Sequence, residues 1–384
     1  MYSFFYILMS LLGTFLIFNK KNNLYYQKLS SLILSNLLII FFLFNNISAD
    51  KSYYDSIFLH DYSLGYQHQG YDVFFYYFAH IISKIKNPQV ANLILYTSLI
   101  YSTYFLSNKF KNPFHIVLLF FPYIFVVVMQ GFPRQAWALL FIIIGINFLF
   151  YLNKNYNEKT FNKNFIISFI FFFFSVSIFF HYSSVMILGV YILILLTKIN
   201  HKHINISLII VLLILLNLFF FDFFKIYIIK FSQHIDFLST RDDHSLKGFV
   251  MRFIIIIIPS ILILFFFIKN IYKKKSKFHL IDELFFILSA ICLFFMIFLL
   301  ITPSTIIISD RLNIYFFLIT VYFFGRFIYF SFLKRISNYF ILFSIFYLNG
   351  YLLLWTLYSK SYYEFKYNFE LFNHYPITNF INQF

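Results

Sequence analysis

Apolar residues gather along this chain into long blocks separated by short polar stretches. The blocks are Tyr2–Phe18, Leu29–Asn45, Val90–Leu106, Phe114–Met129, Ala136–Leu152, Phe165–His181, Ser184–Leu196, Ile206–Phe224, Phe249–Ile268, Leu284–Ile301, Leu312–Phe332 and Tyr339–Tyr358. Most are close to the ~20 residues that a helix needs to cross the hydrocarbon core of a bilayer. The pattern predicts an all-α fold, a polytopic integral membrane protein of about twelve transmembrane helices. Ser184–Leu196 is short for a crossing. Tyr71–Lys86 is also short and carries Asp72 and His80. It reads as an additional interfacial or re-entrant helix in the first external loop. Charge follows the first block, as Asn19-Lys20-Lys21, and does not precede it, so that block reads as a retained span and not as a signal peptide.

Basic residues orient the blocks. Lys20, Lys21 and Lys28, then Lys109 and Lys111, then Lys154, Lys159 and Lys163 fall in alternate connections. So do Lys198 and Lys202, the run Lys269 to Lys277, and Lys334 with Arg335. Cytoplasmic loops carry such an excess. If Tyr71–Lys86 does not cross, both termini face outward, and residues 1–384 form one membrane domain. Its external parts are loops 47–89 and 225–248 and the tail 359–384. Arg134, His181, Arg252 and Arg311 then share the external face.

Composition supports this class and removes others. Of 384 residues, 61% are hydrophobic and 11% charged, far from a soluble domain. The net charge of +16 therefore reflects basic inner loops and not a nucleic-acid partner. The 63 phenylalanines accompany abundant Ile, Tyr, Asn and Lys, as AT-rich coding would produce, so they argue only weakly for stacking platforms. Cys292 is the single cysteine and lies in an apolar block, which leaves no disulfide framework or thiolate metal site. The sequence contains no P-loop, GxGxxG, HExxH or CxxC element.

The chemistry-bearing stretch is Gly131-Phe132-Pro133-Arg134-Gln135-Ala136, between two of the blocks. An arginine at the end of a span finds a partner, snorkels, or serves a purpose. Ala136 and Ala138 would let a neighbouring helix approach closely. The block after next closes on Phe180-His181-Tyr182-Ser183-Ser184. If the intervening helices run inward and back, Arg134 and His181 lie at one height on helices roughly 8–10 Å apart. Arg252 and Arg311 join them at outer helix ends. Any one of these arginines is equally well read as an interfacial anchor. Three on one face, with few acids inside the membrane, point to an anionic ligand, and the guanidinium fork suits phosphate. A lipid diphosphate in the outer leaflet fits. His181 has the chemistry of a general base, or of an interfacial histidine bonded to a carbonyl. Asp242-Asp243-His244, beside Arg241 and Lys247, reads as a solvated charge run in preference to a metal site. Neither a metal nor a cofactor is assigned.

Arg134-Gln135-x-x-Ala138 opening one span, with Phe180-His181-x-Ser183 closing the next, resembles the EpsG family of Wzy-type polysaccharide polymerases. Asp50-x-x-Tyr53-Tyr54 is similar to the family's Asp-x-x-x-Tyr element. Gly70-Tyr71-Asp72 resembles its Glu-x-Gly-Tyr helix, with the acid displaced to follow the Gly-Tyr pair. Gly248-Phe249-Val250-Met251-Arg252 and Asp310-Arg311-x-x-x-Tyr315 are similar to its recurring arginine positions. The resemblance implies a glycosyltransferase-type enzyme of the bacterial cytoplasmic membrane, working on its external face without metal or cofactor. It would join undecaprenyl-diphosphate-linked oligosaccharide units into O-antigen, capsule or exopolysaccharide, beside a flippase and a chain-length regulator. His181 and Arg134 would be catalytic. Gln135, Arg252, Arg311, Tyr315, Tyr182, Asp50 and Tyr54 would contact substrate. Two alternatives stay open. A metal-dependent polyprenyl-phosphate glycosyltransferase would need an acid from the first external loop, such as Asp50, Asp55 or Asp61. A lipid-linked oligosaccharide flippase would need charges at mid-membrane depth and paired broken helices.

Overall fold

The computed structural model describes residues 2–18, 24–44, 73–85, 87–154, 163–198, 246–272, 279–301, 306–330 and 337–358. Among these, every regular element is helical. The helices are α1 (Tyr2–Phe18), α2 (Leu24–Phe44), α3 (Val73–Ser83), α4 (Pro88–Ser107), α5 (Pro113–Phe120) and α6 (Pro133–Lys154). They continue as α7 (Lys163–Phe180), α8 (Val185–Lys198), α9 (Leu246–Tyr272), α10 (Leu280–Ile301), α11 (Ile306–Tyr322) and α12 (Ser337–Tyr358). The block Ile206–Phe224, most of both expected external loops, and the tail lie outside the described residues. So do Asp50, Tyr54, Asp72 and Asp242-Asp243-His244.

Most of these helices outrun their apolar blocks by a few residues, because a helix continues past the hydrocarbon into the interface. Thus α2 starts at Leu24 and takes in Gln27 and Lys28, and α9 starts at Leu246. Proline opens α4, α5 and α6, where its missing N–H costs nothing. Asn87 caps α4, its side chain accepting from the Gln89 N–H at 3.0 Å. Leu24–Leu43, Gln89–Ser107 and Pro133–Leu152 are long and apolar enough to cross a membrane, and six shorter apolar helices accompany them among the described residues. By contrast α3 has 11 residues, about 16 Å of helix, short of a hydrocarbon core of about 30 Å.

Two compact units divide the chain. The first comprises Met1–Tyr66, Phe74–Asn147 and Val321–Phe384. In it α2 packs on α4 and α5, and α1 packs on α12. Its aromatic centre is Phe121, with Phe5 and Tyr6 both at 5.5 Å and Phe42 at 5.8 Å between ring centroids. Phe121 begins a π-helical stretch, Phe121–Val128, that continues α5 into Met129–Gly131. Pro122 supplies the cause. It removes one N–H from the ladder, and by Met129 the N–H reaches five residues back, to the Ile124 carbonyl. A second π stretch, Phe323–Phe327, continues α11 into Ile328–Phe330 and docks on the start of α5. There the Asn112 amide donates to the Tyr329 hydroxyl, and His115 Nε2 lies 2.9 Å from Ser344 Oγ.

The second unit comprises Gln67–Val73 and Phe148–Thr320. In it α9 packs on α10, α7 on α8, and α8 on α10. Phe148 stacks on Phe173 at 5.6 Å, and Phe174 meets Tyr191 edge-on at 5.3 Å.

Candidate functional site

In the first unit one helix ends and the next begins at Phe132. The Phe132 N–H closes the preceding helix on the Val128 carbonyl at 2.8 Å, and its own carbonyl accepts from Ala136 N–H at 3.0 Å. Arg134 is thus the second residue of α6, half-buried, followed by buried Gln135 and fully buried Ala136 and Ala138. The small residues lie inside the packing, as the sequence pattern implies. Phe78 of α3 rests 4.8 Å from the Trp137 ring, which holds the short helix beside the opening of α6. A helix N-terminus carries the positive end of the backbone dipole, so a cation there is unfavourable for the helix itself. Arg134 therefore gains nothing from the helix dipole, and the first turn of α6 favours an anion.

Arg252 and Arg311, in the second unit, stand further into their helices. Arg252 is the seventh residue of α9 and Arg311 the sixth of α11. For Arg311 this is a correction. The apolar block Leu312–Phe332 starts just after it and put it at a helix end, whereas Ile306-Ile307-Ile308 already form helix and carry Asp310 and Arg311 on the second turn.

His181 stands one residue beyond α7. Its N–H donates to the Ser177 carbonyl at 3.0 Å, and the 3-10 turn Tyr182–Ser184 follows at once. The Ser184 hydroxyl donates to the His181 carbonyl at 2.9 Å, while Ser177 Oγ and Ser184 Oγ lie 2.9 Å apart. These serines hold the backbone. The tight turn carries Ser183 back over the imidazole, where Ser183 Oγ is 2.6 Å from Nδ1. Ser183 Oγ in turn donates to the Tyr315 hydroxyl at 3.3 Å. His181 is 4% exposed, Ser183 7% and Tyr315 0%. Two residues singled out from the sequence, His181 and Tyr315, are thereby joined by a third that was assigned no role. The signal for Ser183 was present, since it is the serine of the Phe-His-x-Ser element.

Thr320 Oγ1 of α11 donates to the Ile255 carbonyl of α9, 65 residues back, at 3.0 Å. Arg311 stands one turn before Tyr315 on α11, about 6 Å along the axis. Arg134 and Gln135 belong to the first unit, and His181, Tyr182, Arg252, Arg311 and Tyr315 to the second.

Apolar helices of this length describe a helical membrane protein. The chain belongs to the EpsG family, whose model matches residues 29–369. Its role is accordingly of the polymerase type, in polysaccharide biosynthesis. Neither the curated proteins nor the solved structures give a match.

Proposed function

We propose that this chain polymerises oligosaccharide repeat units carried on undecaprenyl diphosphate, at the external face of the bacterial cytoplasmic membrane. It crosses about twelve times, with α3 lying at the interface and Ile206–Phe224 supplying a further crossing. A sugar hydroxyl of the incoming unit attacks the anomeric carbon of the growing chain. The new C–O bond forms as the bond to the lipid diphosphate breaks, and the diphosphate leaves with the bonding electron pair. The hydroxyl proton passes to His181. Arg134, Arg252 and Arg311 stabilise the charge that grows on the departing diphosphate, the service a divalent metal performs in other sites. Gln135 and Tyr182 contact sugar or phosphate oxygens, with Asp50 and Tyr54 adding contacts from the first external loop.

One observation carries this reading. A buried imidazole is held by a hydroxyl chain that reaches Tyr315, one helical turn after Arg311 on α11. A base near a cation suits glycosyl transfer from a diphosphate. Deleting the gene and running surface polysaccharide on a gel tests it. The polymerase reading predicts a single capped repeat unit, restored to long chains by the wild-type gene. Absence of all surface sugar would indicate a flippase or an earlier enzyme.

A further inference from the structure

We propose that Ser183 and Tyr315 are a positioning pair that holds the ring of His181, an inference that rests on the reading of His181 as the base. Ser183 Oγ lies 2.6 Å from Nδ1. The Ser183 backbone N–H also meets Nδ1, at 3.4 Å. Ser183 Oγ is in turn 3.3 Å from the Tyr315 hydroxyl. One edge of the imidazole is thereby tied to α11 through a single serine.

When the ring takes the acceptor hydroxyl's proton it becomes an imidazolium, both of whose nitrogens are donors. Nδ1–H then donates to Ser183 Oγ, a bond strengthened by the charge of the donor. Burial of all three side chains keeps water from taking the place of either hydroxyl. The 3-10 turn is what makes this possible, since it sets Ser183 two residues from the histidine it holds.

The test uses the full-length chain in membrane vesicles from its own deletion strain, charged with the lipid-linked units that accumulate there. Ser183→Ala and Tyr315→Phe should each lower the elongation turnover, with KM for the lipid-linked unit little changed. For Ser183→Ala the expected loss is about 10- to 100-fold, as for loss of one hydrogen bond to a group that becomes charged. The double variant should be no slower than the slower single one, because both act through one ring. Ser183→Thr keeps the hydroxyl and should restore most of the rate. On the wild-type chain, nitrogen-15 spectra of labelled histidine should show His181 Nδ1 engaged in a hydrogen bond, a reading available even if Ser183→Ala does not accumulate. Wild-type turnover in Ser183→Ala, multiplicative losses, or an Nδ1 without a hydrogen bond would overturn the pairing. His181→Gln separates the two ideas. Full activity there removes the base itself, whereas a dead glutamine variant beside an active Ser183→Ala removes only the positioning pair.

Discussion

Gly325→Ala puts the docking of the second π stretch to a direct test. A Cβ at residue 325 would lie 2.6 Å, 2.8 Å and 2.9 Å from three carbons of the Phe110 ring, where ordinary contact begins at 3.4 Å. The ring would have to retreat by about 0.8 Å, the difference between 3.4 and 2.6 Å. Phe110 is buried, at 6% exposure, and the backbone around it is fixed by its N–H bond to the Ser107 carbonyl. Overpacking of this kind costs ~1–3 kcal/mol. Alanine regains up to ~1 kcal/mol of helix propensity over glycine. The net expectation is a destabilisation of about 1–2 kcal/mol, read as a Tm lower by about 1–3 °C in detergent-solubilised chain. Phe110→Leu in the same background removes the ring and should recover part of the loss, giving a coupling well outside additivity. A Gly325→Ala chain as stable as wild type, or strictly additive effects, would refute the close approach of the residue 110 and residue 325 segments.

Other perturbations probe the second unit, the arginines and the orientation. Asn313 is fully buried in α11, and neither of its amide atoms has a partner among the described residues. Asn313→Leu should therefore raise stability by about 1–3 kcal/mol in thermal unfolding, and a loss of stability would show that the amide is satisfied after all. Arg134→Lys keeps the charge but loses the bidentate fork and should abolish most polymerisation at normal abundance, with Arg134→Ala losing about 10²–10³ in rate. Long chains of wild-type length from Arg134→Ala would remove that residue from the mechanism. For topology, a cysteine at Asn157 or Ser276 should be shielded from an impermeant thiol reagent in intact cells, while one at Ser63 or Ser239 should react. Labelling in the opposite sense would turn the site inward.

Much of the fold was legible because each crossing must be apolar along its length. Phe114–Met129 and Ala136–Leu152 fall inside α5 with its continuation and inside α6. Ends were less legible, since residues such as Gln27 and Lys28 are polar yet still helical once the chain has left the hydrocarbon. The same cause misplaced Arg311, whose polar neighbours Ser309 and Asp310 look like loop but stand on a helix begun by three isoleucines. The π stretch at Phe121 had a visible signal in Pro122, although a proline in an apolar run does not say whether the helix kinks, breaks or widens. The contact between Ser183 and Tyr315 joins residues 132 apart, and no periodicity reports such a distance. Only the resemblance to a family motif placed both ends of that chain under suspicion.

The central claim is that a growing glycan is transferred from a lipid diphosphate to a sugar hydroxyl, and product analysis of reconstituted chain tests it most directly. Full-length protein in proteoliposomes, supplied with the lipid-linked repeat units isolated from the deletion strain, should lengthen the glycan. One undecaprenyl diphosphate should be released for every linkage formed. Lengthening with release of the monophosphate would indicate the polyprenyl-phosphate glycosyltransferase alternative, and movement of the lipid-linked unit across the bilayer without lengthening would contradict polymerisation outright.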